Sequence, residues 1–271
     1  MTLFQSLVLG IIQGATEFIP VSSSGHLVIA PLLFGWNIQP EEAFIFDVLA
    51  QAATLTAVVV YYWQDLMAIA SHFFQGLRER NPFKDHKTRL GWYLILSTLP
   101  AGAAALLFKE TFEEAFSSPK AAAFFLLGTS ALLISAEIVK TRSRTMTELN
   151  WVDALWVGFF QVLALFPGIS RSGSTISGGM LRGIRRPDAA HYGFLMAVPV
   201  MTAAGLLAVI ELVSIPQLWK QIPVYLAGFA AAALVGYAAI HWLIEYLSQK
   251  SLLVFAIYCA VVGTGILVVY F

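Results

Sequence analysis

Long apolar runs dominate this chain, and the places where polar residues break them define its elements. Six runs match the roughly 20 apolar residues that cross a bilayer: residues 43–63, 89–108, 119–140, 188–211, 222–247 and 251–271. Two further runs are interrupted. The run 3–34 breaks at "EFIPVSSSGH", Glu17 to His26, where Pro20, three consecutive serines and Gly25 stand together. Its second arm, Leu27 to Phe34, is about 12 Å of helix and too short for a hydrocarbon core of about 30 Å. The run 151–184 breaks at Pro167 and Gly168 and also has a short second arm. Broken backbone at membrane depth is tolerated only where it is buried in protein or lines a cavity. Both runs are therefore expected to be re-entrant helix–loop–helix hairpins. The fold class that follows is all-α and integral to the membrane, with six full transmembrane helices and two re-entrant hairpins.

A shift of 148 residues aligns the two hairpins: Gly10 meets Gly158, Gln13 meets Gln161 and Phe18 meets Phe166. Ser22 meets Ser170, Ser24 meets Ser172 and Gly25 meets Gly173. The expected organisation is one membrane domain made of two units, 1–148 and 149–271, each a hairpin plus three spans. An odd number of spans inverts the second unit. Inverted repeats with broken helices place a binding site near the bilayer midplane, where the units meet.

Composition agrees with the pattern: 58% of residues are hydrophobic and 12% charged, against about 25% charged in soluble domains. Formal net charge is zero, so no nucleic-acid partner is indicated. The distribution of the charge says more. With the spans alternating, one side holds Arg78, Arg80, Lys84, Lys87, Arg89, Lys140, Arg142, Arg144, Arg182, Arg185, Arg186 and Lys250, and the other Lys109, Lys120 and Lys220. The basic side should be cytoplasmic. Both termini and the mouth of the first hairpin then face outward. Met1 to Ile12 carries no Lys or Arg, which argues against a cleaved signal peptide. The single cysteine, Cys259, excludes an internal disulfide and reads as a small core residue.

The second break reads "PGISRSGSTISGG", Pro167 to Gly179. Arg171 is the basic residue expected at membrane depth, where an ionisable group is a functional candidate. Its planar fork suits bidentate phosphate binding; an ion pair with Glu17 is the structural alternative. The hydroxyls of Ser170, Ser172, Ser174 and Thr175 surround it, and each break offers a helix N-terminus to an anion. The first break supplies Ser22, Ser23, Ser24 and Gly25 in the same way. Together these features describe a phosphate or pyrophosphate site. Serines also plug backbone gaps in membrane helices, and Gln13 and Gln161 also serve as interhelical glue. The units differ at Glu17, matched by Leu165, and at His26, matched by Ser174. That asymmetry places the chemistry in the first break, with Ser23 and His26 as a nucleophile–base pair. In the variant reading His26 attacks or activates water. Glu17 either orients His26 or holds a divalent cation. Asp47, Gln51 and Thr54 share one face of the first span at i, i+4 and i+7 and are expected at the cavity. Gly228, Gly236, Gly263 and Gly265 are suited to pack helices within one chain or between copies in a homo-oligomer. A transporter or flippase of a lipid phosphate or other anion is the rival class, favoured by the repeat but not by the asymmetry.

With "GATEFIPVSSSGH" and "PGISRSGSTISGG" both present, and "GGMLRGI" following, the chain resembles the bacitracin-resistance family of undecaprenyl pyrophosphate phosphatases over essentially its whole length. The resemblance implies hydrolysis of undecaprenyl pyrophosphate to undecaprenyl phosphate and inorganic phosphate. It implies a multi-pass protein of the bacterial cytoplasmic membrane that recycles a lipid carrier for cell-wall synthesis, with an outward-facing site and a divalent cation, Mg²⁺ or Ca²⁺. By motif it implies Ser23 as candidate nucleophile, His26 as essential histidine and Glu17 as the acidic position. Gln13 is the amide form of a family pattern that allows Glu or Gln there. Arg171 matches the phosphate-clamping arginine and Ser170, Ser172 and Thr175 its hydroxyl neighbours.

Overall fold

The computed structural model describes residues 1–116, 118–138, 142–213 and 215–271; Lys140 of the basic side lies outside the described residues. The interrupted run 3–34 folds as α1 (Leu3–Phe18) and α2 (Ser23–Phe34). It is followed by α3 (Pro40–Tyr61), α4 (Trp63–Arg78), α5 (His86–Leu107), α6 (Lys109–Phe116) and α7 (Pro119–Ile138). The second interrupted run gives α8 (Trp151–Leu163) and α9 (Arg171–Leu181). The chain ends with α10 (Arg186–Leu212), α11 (Pro216–Lys220), α12 (Ile222–Gln249) and α13 (Leu253–Tyr270). No β-strand occurs among the described residues. Six helices, α3, α5, α7, α10, α12 and α13, are long and apolar enough to cross a membrane, so this is a multi-pass membrane protein.

Caps explain where the broken segments start and stop. Thr2 and Gln5 form a capping box at the start of α1, and Asn150 and Asp153 do the same for α8. Ser22 caps α2 and Ser170 caps α9, each accepting from the glycine three residues on, Gly25 and Gly173. Capping from Ser22 makes α2 12 residues long, about 18 Å. It thus begins four residues earlier than the arm expected from Leu27. Gly35, at φ +63, closes it with the left-handed cap that glycine adopts without strain.

The helices pack through small residues. A side chain on Gly10 would run into the Gly228 carbonyl of α12, and one on Gly14 would meet Ala232 and Gly236. In the second half Gly158 stands against the Ser97 carbonyl of α5. Gly263 sits on Ala123 of α7, whereas Gly265 has nothing within 4 Å. Gly228, Gly236 and Gly263 are therefore used inside the chain. The aromatic centre joins the halves, with Phe18 edge-on to Phe194 at 5.4 Å. Outward, Leu106, Ile138, Ile210, Leu234 and Val268 are each more than 70% exposed, the surface expected of spans in lipid. At the end of the molecule rich in arginine, buried Asp153 receives Arg144 at 2.5 Å and Arg182 at 2.7 Å. Glu137 receives Arg186 and Arg142.

Candidate active site

The two breaks meet. Gly25, at the start of α2, lies so close to Gly168 that a side chain would come within 3.0 Å of its Cα. Gly168 itself, at φ +97, leaves no room between Ala122 and Phe125. The Ser172 hydroxyl reaches the Ile19 carbonyl at 3.4 Å. The second break is anchored from α7: Thr129 donates to the Gly168 carbonyl at 2.8 Å and accepts from the Ser170 N–H at 2.9 Å.

Glu17, in the last turn of α1, is the junction. Its Oε1 pairs with Arg171 Nη2 at 3.0 Å. Its Oε2 accepts from Gln13 at 3.0 Å and from the Ser23 hydroxyl at 2.5 Å. Arg171 is 15% and Glu17 9% exposed at the side chain; two opposite charges at this depth each supply what the other needs. The other guanidinium nitrogen, Nη1, is buried without a partner among the described residues. The helix geometry leaves the first-turn N–H groups of α2 and α9 without internal acceptors. Arg171 and the N-termini of α2 and α9 thus border one place, a setting that favours an anion.

A cavity of about 330 Å³ opens there, lined by Glu17, Ser22, Ser23, Ser24, Ser170 and Arg171 on its polar side. Gln51 and Lys109 complete that side, and Leu165, Ile169, Val200 and Met201 are among its apolar walls. Gln51, Met201 and Ala204 also line a second cavity of about 470 Å³ between α3 and α10, walled chiefly by apolar side chains such as Val48, Leu55, Leu206 and Val209. The polar pocket therefore adjoins an oily groove, with Gln51, Met201 and Ala204 common to both walls.

The structure sorts the residues singled out from sequence. Glu17, Ser22, Ser23, Ser24, Ser170 and Arg171 line the cavity; Gln13, His26, Ser172, Ser174 and Thr175 are absent from its wall. Gln13 holds Glu17 from behind. Ser172 ties the breaks together, and Thr175 turns back onto the carbonyls of Arg171 and Ser172. The Ser174 hydroxyl is buried without a partner among the described residues. Gln51 lines the pocket and Asp47 the groove, but Thr54 is fully buried and back-bonded to Ala50 and Gln51. The expected Ser23–His26 pair is not the one formed: Ser23 donates to Glu17, because His26 is engaged at both nitrogens. Its Nδ1 meets the Ser22 carbonyl at 2.7 Å and its Nε2 the Tyr258 hydroxyl at 2.7 Å. Sequence reading missed Lys109 and Tyr258. Lys109 reads as an ordinary loop cation, and Tyr258 sits in a run with no polar signal.

Among the described residues no group of three or more His, Cys, Asp or Glu is placed to hold a metal ion. The cavity wall offers one carboxylate, Glu17, beside the serine hydroxyls. These are hard oxygen donors of the kind Mg²⁺ and Ca²⁺ take, and phosphate oxygens are their usual complement.

The sequence pattern of the family described as bacitracin resistance protein BacA matches residues 6–265. The chain is 40% identical to a protein of Thermomicrobium roseum named undecaprenyl-diphosphatase, over 99% of this chain and 98% of that one. It is 37% identical to one of Myxococcus xanthus with the same name, over 99% and 89%. Likeness to undecaprenyl-diphosphatase 2 of Stutzerimonas stutzeri is 38%, over 100% and 99%.

Proposed function

We infer, on the premise that this chain belongs to the bacitracin resistance protein BacA family, that it is an undecaprenyl-diphosphatase. It is a membrane hydrolase that converts undecaprenyl diphosphate and water to undecaprenyl phosphate and inorganic phosphate. The observation that carries the reading at residue level is the Glu17–Ser23–Arg171 triangle, at the wall of a polar pocket that adjoins an apolar groove.

The diphosphate lies in the pocket and the prenyl tail in the groove between α3 and α10. Arg171, through its unpaired Nη1, and the N–H groups opening α2 and α9 hold phosphate oxygens. Charge stabilisation and positioning of this kind supply most of the catalysis in phosphoryl transfer. Ser23 Oγ attacks the terminal phosphorus and gives its proton to Glu17, already 2.5 Å away. The bond from that phosphorus to the bridging oxygen breaks, that oxygen takes the proton from Glu17, and undecaprenyl phosphate leaves. Water then cleaves the phosphoserine, releasing inorganic phosphate and restoring the Ser23 hydroxyl. A divalent cation, Mg²⁺ or Ca²⁺, would be held by Glu17 and substrate oxygens and would neutralise the diphosphate.

We further read α1–α2 and α8–α9 as re-entrant hairpins of an inverted repeat. Their lengths of 16, 12, 13 and 11 residues fall short of a bilayer core. Packing supports the exchange of partners that such a repeat requires. Gly10 of α1 meets α12 of the second unit, and its mate Gly158 of α8 meets α5 of the first. The arginine-rich end lies toward the cytoplasm, in a bacterial cytoplasmic membrane, with both termini and the pocket mouth outside.

The test is phosphate release from undecaprenyl diphosphate by the purified protein in detergent with Mg²⁺ or Ca²⁺. Wild type releases phosphate, and Ser23→Ala loses it by roughly a thousandfold or more. A wild type that binds the lipid but releases nothing would sink the enzyme reading. An active Ser23→Ala would sink the nucleophile.

A further inference from the structure

His26 and Tyr258 form a unit that the proposed chemistry does not use. The Ser22 carbonyl can only accept, so His26 Nδ1, 2.7 Å from it, carries the proton. A neutral imidazole then has a bare Nε2, and the Tyr258 hydroxyl, 2.7 Å away, donates to it. The two rings lie nearly parallel, 9° apart with centroids at 5.7 Å. Neither imidazole nitrogen is left for Ser23 or for a phosphate, and His26 is absent from the cavity wall.

What His26 grips is the strained point of the loop. Ser22 sits at φ +72, a conformation that a non-glycine residue keeps only when its surroundings impose it. That kink starts α2 at Ser23 and turns the Ser23 hydroxyl toward Glu17. The Ser22 carbonyl takes both the His26 side chain and the His26 N–H, the latter at 3.2 Å. The next residue of α13, Cys259, backs the other side of the loop, with Sγ 4.0 Å from the Pro20 carbonyl. Adjacent residues of the last span thus support the loop before and after its kink.

We propose that His26 is a positioning residue, and that Tyr258 is a second positioning residue acting through it, fixing the Nδ1–H tautomer that holds the Ser22 carbonyl and aims Ser23 at Glu17. The proposal rests on the phosphatase reading for its rate measurements and on geometry alone for its tautomer. An asparagine amide reproduces the Nδ1–H donor, whereas a glutamine amide lies nearer the Nε2 position. His26→Asn therefore keeps phosphate release within about tenfold of wild type, one hydrogen bond's worth of rate, while His26→Gln and His26→Ala fall much further. Tyr258→Phe lowers kcat by about tenfold with KM unchanged. In the His26→Asn background Tyr258→Phe adds little, because its partner nitrogen is gone. Histidine labelled with ¹⁵N reports the tautomer directly: protonated Nδ1 and bare Nε2 in wild type, with the Nε2 resonance displaced in Tyr258→Phe.

A folded, lipid-binding His26→Asn as inactive as His26→Ala would overturn the proposal. So would an Nε2–H tautomer in wild type, or a phosphohistidine trapped at His26. The spectrum needs only folded wild-type protein, so it decides the matter even if a variant fails to fold. A wild type that releases no phosphate yet shows the Nδ1–H tautomer would count against the phosphatase reading and not against the clamp.

Discussion

At the scale of residues, the candidate site is built on one carboxylate shared among three donors. Glu17 accepts from Gln13, Ser23 and Arg171 at 2.5 to 3.0 Å, so removing any of them disturbs the others. Arg171→Ala should lower kcat/KM by roughly 10²-fold or more, the loss expected for one charge-stabilising donor. Arg171→Lys should recover only part of it, because an ammonium lacks the fork. Equal rates for wild type and Arg171→Ala would remove the clamp. Glu17 already pairs with Arg171, and a diphosphate adds negative charge beyond what Arg171 balances. Chelating divalent cations should therefore slow phosphate release, with Mg²⁺ or Ca²⁺ restoring it; a rate indifferent to chelation would remove the ion from the mechanism. Sequence showed that Glu17, Ser23 and Arg171 belong together, since polar groups in so apolar a chain have few other uses. It offered the Glu17–Arg171 ion pair as the structural alternative, and that pair forms; it did not show that Ser23 partners Glu17. Spacing of three residues favours Ser23 with His26 in the first turn of α2, but both imidazole nitrogens are taken by the Ser22 carbonyl and Tyr258, and Ser23 turns to Glu17.

At the scale of elements, the apolar pattern revealed each of the six long helices to within about three residues at every end, because lipid demands length and hydrophobicity together. The short helices α4, α6 and α11 were not legible. They contribute no spanning run, and α4 presents Trp63, Met67 and Phe74 on one exposed side, a mixed pattern that reads as loop. Close helix contact was legible only as scattered glycine, and the structure distinguishes one glycine from another. Gly10→Val should destabilise the fold by about 1–3 kcal/mol, since its side chain would occupy the Gly228 carbonyl. Gly265→Val, with nothing within 4 Å, should change stability little. Thermal unfolding in one detergent compares the two, and equal shifts would discard the packing argument.

At the scale of the whole molecule, the pocket is a seam. Its polar wall takes Glu17, Ser22, Ser23 and Ser24 from the first half of the chain and Ser170 and Arg171 from the second, so neither half alone carries a site. The sequence repeat made that convergence foreseeable; the role of the last span was not. Tyr258 is 42% exposed and stands among the outward-facing Val254, Ile257 and Val261. Its ring therefore lies on the surface expected to face lipid, while its hydroxyl meets His26. The surface of the last span is thus two hydrogen bonds from the loop that carries Ser23. Bilayer thickness and acyl-chain order become variables of the active site, and turnover should differ between detergent and membranes of graded thickness. In Tyr258→Phe, which severs that link, the dependence should flatten; a variant as sensitive as wild type would show that the bilayer acts elsewhere.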